Sequence, residues 1–250
     1  MKVFVCIFLA CIFSVSGPFH AAGNSPPTRN GQQRIFFWDK ERESIEEWQG
    51  VAEFPIIANK PEKSQNLRAG QYCAVLEEGI LRVFVKEYLV WETPPEWRVD
   101  GFELADAMRD GRIDLTMSVW KKGSFGSGRP FWVEENDECT RNHFFIYAMK
   151  DDQFLPRWQS SALDAPNCEY SFTDITGDGW DELITIEGFY FLQGCGRGRF
   201  VSAWYWNGWT FVLLGRSRAG SFSNLRSVKS GDVHLIMVDE NPPRTFRECQ

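Results

Sequence analysis

Histidine is almost missing from this chain: 250 residues hold 3, and His20 lies in the N-terminal stretch. His143 and His234 are left, which gives general-base and imidazole-metal chemistry little to work with. No Cys-x-x-Cys pair occurs among the 7 cysteines, so thiolate zinc sites are not expected. No apolar run reaches the ~18 residues of a membrane span. Positive charge is also short, with 27 Lys+Arg against 34 Asp+Glu and a net charge of −7. A nucleic-acid partner, which demands a basic face, is therefore not expected. Helical periodicity is convincing nowhere. Only Glu41–Trp48 could form a short helix, and Phe102–Met108 could mimic one.

What the chain does have is aromatic mass: 11 Trp, 21 Phe and 6 Tyr, 15% of all residues. With 43% hydrophobic and 24% charged residues, it falls among ordinary globular proteins. Met1-Lys2 and the run Val3–Val15 precede Ser16-Gly17-Pro18 and the small residues Ala21-Ala22. That order is the pattern of a secretory signal, expected over 1–22. Leu9-Ala10-Cys11 makes a poor lipoprotein box, because Phe8 stands where Leu is usual, so lipid anchoring at Cys11 is not expected. Export leaves Cys73, Cys139, Cys168, Cys195 and Cys249 in a compartment that permits disulfides. Five cysteines allow at most two intramolecular bridges, and spacing does not choose the pairing.

The body reads as short strands. Tyr72–Leu76, Ile80–Val85 and Tyr88–Trp91 are β-branched and aromatic runs split by two- or three-residue turns. Phe200–Trp206 and Trp209–Leu214 flank Asn207-Gly208, a dipeptide that predicts a two-residue hairpin turn with both φ angles positive. Phe144–Tyr147, Phe154-Leu155 and Val233–Val238 complete the set. An internal repeat organises them. Trp97–Trp120 and Tyr170–Glu187 both read strand, D-x-x-x-D-G-x-x-[DE]-L, strand. With the insertion Lys121–Asn142 set aside, the period falls to about 46, within the ~40–50 residues of a four-stranded propeller blade. Val51–Pro94 would be a blade without the acidic loop, and Phe222–Glu240 a partial one.

The acidic loop is the constellation that carries chemistry. Asp174, Thr176 and Asp178 occupy positions 1, 3 and 5. Gly179 permits the bend at 6, the Trp180 carbonyl stands at 7 and Glu182 at 9. Alternating oxygens of this kind suit Ca²⁺, which takes about six to eight ligands, and crowded carboxylates repel unless neutralised. The competing reading is a metal-free Asp/Gly turn held by Asx hydrogen bonds. A weaker loop, the first in chain order, keeps Asp106, Asp110 and Asp114 at positions 1, 5 and 9, with Arg112 at 7. There Met108 replaces the ligand at 3, and Arg109 or Arg112 could stand in for the ion.

Asp174–Leu183 resembles the FG-GAP/VCBS repeat, whose usual form is D-x-N-x-D-G-x-x-D-L, and Trp97–Trp120 is similar to secreted bacterial proteins of the same repeat type. The resemblance covers two loops and their adjoining strands. It implies an integrin-α-like β-propeller in which Ca²⁺ is structural. The length left after export would hold roughly four to five blades at ~45 residues each, fewer than a seven-bladed ring needs.

Other features carry less. Trp204 and Trp206 share a strand face by the period of two and could form a platform for a sugar, although packing between blades is the commoner use of Trp. Trp91, Trp97, Trp120 and Trp158 read as such packing. Glu134, Glu135, Asp137 and Glu138 beside Phe131 and Trp132 could serve a glycosidase; a solvated loop fits them better. Gly194–Arg199 reads as a flexible hairpin tip, and Gly215–Ala219 only approximates a nucleophile elbow. The expectation is an all-β, few-bladed propeller-like protein. Its parts are a signal over 1–22, an N-terminal extension over 23–50, a repeat domain over 51–240 and a tail over 241–250. It would be an exported, non-catalytic binding or scaffold protein with a protein or glycan ligand. The alternative is a secreted carbohydrate-active enzyme.

Overall fold

The computed structural model describes residues 32–49, 66–69, 71–123, 131–135, 138–150, 153–230 and 233–241. The expected signal, Cys6, Cys11, Cys249, Asp137 and the tail beyond 241 lie outside the described residues. Strands account for all regular structure among those described. They run β1 (Gln32–Asp39), β2 (Ser44–Glu47), β3 (Asn66–Ala69), β4 (Tyr72–Glu77), β5 (Ile80–Val85), β6 (Tyr88–Glu92), β7 (Arg98–Ala105), β8 (Asp114–Lys122) and β9 (Thr140–Lys150). Then follow β10 (Gln153–Gln159), β11 (Asn167–Thr173), β12 (Glu182–Glu187), β13 (Tyr190–Phe191), β14 (Gly194–Cys195), β15 (Phe200–Trp206), β16 (Phe211–Arg216), β17 (Phe222–Ser230) and β18 (Val233–Glu240).

They form four antiparallel four-stranded sheets and a two-stranded ribbon, β13-β14. The first sheet is β3-β4-β5-β6, the second β7-β8-β9-β10 and the third β11-β12-β15-β16. The terminal sheet has the order β17-β18-β1-β2. Its join is the pairing of Gln32–Phe36 with Ile236–Glu240. The expected N-terminal extension thus supplies two strands, and the segment that could have been a short helix is β2. The partial unit at Phe222–Glu240 is completed by chain from the other end.

Alternation explains how the sheets stack. On β9, Phe145 and Tyr147 enter a core shared with the first sheet, whose members include Leu81, Val83, Leu115 and Met117. Phe144 and Ile146, one residue out of phase, enter a core shared with the third sheet through Phe172 and Leu183. On β12, Leu183 faces the second sheet while Ile184 and Ile186 face the terminal one, against Phe36, Phe222 and Ile236. Strands covered on both faces bury their polar residues as well: Asp114, Thr116 and Ser118 on β8, and Glu182, Thr185 and Glu187 on β12, are all buried.

Trp91, Trp97, Trp158 and Trp206 fill these seams. Trp91 packs on Tyr147 and Phe154, and Trp97 on Phe145, between the first and second sheets. Trp158 meets Trp206 and Phe211 edge-on between the second and third. The turn at Glu78-Gly79 has both φ angles positive, 51° and 80°, as a two-residue hairpin requires. The turn at Asn207-Gly208 does not: only Gly208 is positive. Asn207 Oδ1 instead accepts the Trp209 and Thr210 N–H groups at 2.9 Å each, which makes a longer Asx loop and starts β16 at Phe211.

Candidate functional site

The two acidic loops connect β7 to β8 and β11 to β12, and their carboxylates at positions 1 and 5 accept from equivalent backbone N–H groups. Asp174 Oδ1 accepts the N–H of Asp178 at 3.1 Å, and Oδ2 accepts that of Gly179 at 2.9 Å. Asp106 does the same for Asp110 at 3.0 Å and Gly111 at 2.8 Å. Asp178 Oδ1 accepts the Trp180 N–H, and Asp110 Oδ1 the Arg112 N–H. Position 2 is a core residue in both, Ile175 and Ala107. Positions 4 and 6 lie in the left-handed region in both: Gly177 and Gly179, Arg109 and Gly111. Glycine is at ease there; Arg109, at φ 55°, is held in a conformation that L-residues seldom adopt.

Neutralisation differs between the loops. In the second, Glu182 at position 9 is 1% exposed. Its Oε2 accepts the Ile175 and Thr176 N–H groups at 3.0 and 3.2 Å, and the Thr176 hydroxyl donates to Oε1 at 3.4 Å. The Arg109 guanidinium, arriving from the first loop, donates to Glu182 Oε1 and lies 3.6 Å from Asp178 Oδ2. It also stands 6.0 Å from the Tyr205 ring centre. In the first loop the cation is Arg157. It donates to both oxygens of Asp114, at 3.1 and 3.0 Å, and to Asp110 at 2.6 Å.

Burial and pairing compete in setting the charges. Burial pushes Glu182 up to about 7 in spite of the N–H donors and Arg109. It also raises Asp114 against the pull of Arg157, whereas Asp110, on the surface, is lowered by its hydrogen bond to Arg157. Asp181 is raised by burial and by Asp174. Beside the loops, Glu103 on β7 is raised to about 7 by burial. It accepts the Phe172 N–H and the Ser171 hydroxyl of the third sheet. Glu169 on β11 likewise accepts the Asn224 and Leu225 N–H groups of β17, at 3.0 and 2.9 Å.

The structure therefore brings Asp174, Thr176, Asp178, Trp180 and Glu182 into one loop, and Asp106, Asp110, Arg112 and Asp114 into its repeat. As arranged, neither donor set fits a divalent ion. A guanidinium stands between the carboxylates in each, and a dication there would face a fixed positive charge. Among the described residues no group of three or more His, Cys, Asp and Glu gathers as a metal needs. The sequence offers Arg109 and Arg112 inside the 106–114 loop as counter-charges; in the structure Arg109 serves the 174–182 loop and Arg157, which the local pattern does not point to, serves 106–114. Pro156 was the available signal: the β9–β10 register shifts between Pro156 and Trp158, and a proline in a strand marks an edge or a bulge.

Trp204 and Trp206 do not form a surface platform. Trp206 is 7% exposed and packs on Trp158 and Phe211; Trp204 lies in the core between the second and third sheets and donates to Thr185. The exposed ring of that hairpin is Trp209. Glu135 and Glu138 are on the surface beside the exposed Phe131 and Trp132. His143 is fully buried, with Nδ1 at 3.3 Å from the Ser160 carbonyl, and burial lowers it to about 4. His234 Nδ1 lies 3.0 Å from the Thr173 hydroxyl. Ser217 is buried and accepts the Val201 N–H.

The glycine-rich run 194–199 is packed, not loose. Cys195 forms a disulfide with Cys168, Cα–Cα 5.4 Å. A Cβ on Gly198 would come within 2.3 Å of Ile186 and 2.4 Å of the Phe222 carbonyl. An open cleft of about 470 Å³ lies beside the second loop, lined by Trp38, Lys40, Glu43, Asp178, Tyr205 and Leu213 among others. No helix among the described residues is long and apolar enough to cross a membrane. Comparison of the chain with protein-family models and with curated proteins finds no match to either.

Proposed function

We propose that this is an exported, non-catalytic binding or scaffold protein of propeller-like build, its four sheets being the blades. The observation that carries the reading is how three glutamates at the sheet seams are used. Glu103, Glu169 and Glu182 each accept backbone N–H groups, and Glu103 and Glu169 reach into the neighbouring sheet to do so. Arg109 adds an ion pair from the second sheet to the third. The polar chemistry of the interior thus braces sheets. The N- and C-terminal strands that share one sheet support the propeller-like reading, since such a join is a way to close a ring of blades. The disulfide supports export. A ligand, protein or glycan, would be held at the cleft beside the second loop, where Trp38 and Tyr205 offer aromatic surface and Lys40 and Asp178 offer charge.

Two measurements test this. The folded protein, incubated with a panel of soluble polysaccharides, is expected to release no reducing sugar. Turnover that Glu134→Gln or Glu135→Gln abolishes without moving the melting temperature would overturn the reading in favour of the carbohydrate-active enzyme. Trp fluorescence titrated with the same polysaccharides and with charged peptides is expected to respond to one class. Trp38→Ala or Tyr205→Ala would weaken that response.

A further inference from the structure

We infer that arginine replaces calcium in both acidic loops: Arg109 closes 174–182 and Arg157 closes 106–114, so the fold needs no divalent cation. The inference stands apart from the binding reading and rests on the loop geometry alone.

The calcium frame is present in the backbone. Asp174 and Asp106 organise the same N–H groups, and both loops bend at the same two left-handed positions. The ion's place is taken in each. Arg109 bridges Asp178 and Glu182 with its own side chain 18% exposed and that of Glu182 1% exposed. Arg157 bridges Asp110 and Asp114 with side-chain exposures of 21% and, for Asp114, 1%. A guanidinium meets carboxylates through fixed, forked N–H donors and stays charged at every physiological pH. Its geometry suits two carboxylates that a calcium ion would otherwise draw together. Arg109 makes this contact from a left-handed residue whose counterpart in the second loop is Gly177. One side chain thereby gives up a relaxed backbone in its own loop and supplies charge to the next.

The test uses the signal-free protein at pH 8, melted with millimolar Ca²⁺ and again with EGTA, together with Tb³⁺ luminescence excited through Trp180, which is 41% exposed on the loop. The wild type is expected to melt at the same temperature in both and to give no sensitised Tb³⁺ emission. Arg109→Gly removes the guanidinium and restores the residue type of Gly177. It is expected to melt lower in EGTA, to recover several degrees with Ca²⁺ and to gain Tb³⁺ emission that Asp178→Ala abolishes. Arg109→Lys, which keeps the charge, is expected to fold and to ignore Ca²⁺. The inference is overturned if the wild type gains several degrees with Ca²⁺, or if Arg109→Gly melts like the wild type in EGTA.

Discussion

The loops 106–114 and 174–182 share a hydrogen-bond pattern and differ in what balances their charge. Position 1 organises the N–H groups of positions 5 and 6 in both, and position 2 drops into the core in both. The loop at 106–114 is neutralised from within its own sheet by Arg157 on the edge strand β10. The loop at 174–182 is neutralised across a sheet boundary by Arg109. The D-x-x-x-D-G-x-x-[DE] frame therefore specifies a turn. The cation that completes the turn is supplied by tertiary structure.

The largest way to break this symmetry is Glu182→Ala. It removes the acceptor of the buried Ile175 N–H and the part-buried Thr176 N–H and strands Arg109, so a loss of about 3–5 kcal/mol is expected in urea unfolding. Asp114→Ala is expected to cost less, about 2–3 kcal/mol, because Arg157 keeps Asp110. Equal losses would mean that the two pairs are energetically alike.

The next effect is on pH. Glu182 is raised from 4.5 to about 7 in the fold, and so is Glu103. Between those values the folded state binds more protons than the unfolded one, so stability falls as pH rises from about 4.5 to 7 and is level above. Each group contributes on the order of 3 kcal/mol to that fall. Urea unfolding from pH 4.5 to 8 is expected to show the slope, and Glu182→Gln to flatten it by about half. An unchanged slope would show that Glu182 keeps its ordinary titration in the fold. In the 106–114 loop the two carboxylates pull in opposite directions, Asp110 lowered by its hydrogen bond to Arg157 and Asp114 raised by burial.

The smallest effect sharpens the likeness. Gly111→Ala and Gly179→Ala meet no atom within 4 Å, so each pays only for its positive φ, about 1 kcal/mol. The two melting shifts are expected to agree; a much larger one would expose a contact that the frame does not share.

Much of the fold could be read from the chain. The runs at 72–76, 80–85, 88–91 and 200–206 are strands because β-branched and aromatic residues are concentrated between turn signals. The repeat was visible because its loop residues sit at fixed positions. What stayed hidden depended on distant partners. Glu41–Trp48 could form a short helix by composition, yet β1 imposes strand pairing on its Ser44–Glu47 through Phe36–Asp39. Tertiary pairing here overrides weak local preference. Gly194–Arg199 looks flexible until Ile186 and Phe222 press against it. The pairing of Cys168 with Cys195 could not be chosen from five cysteines. Arg157 lies far along the sequence from Asp110 and Asp114, and only the bulge on β10 aims it at them. Local pattern thus gave the loops, and long-range packing gave their counter-charges.

The most direct test of that division is a double-mutant cycle of Arg109→Met and Glu182→Gln, measured by urea unfolding at pH 8. The expected coupling is about 2 kcal/mol or more, as for a contacting, largely buried pair. A coupling below about 0.5 kcal/mol, the value for independent sites, would mean that Arg109 does not balance the 174–182 loop.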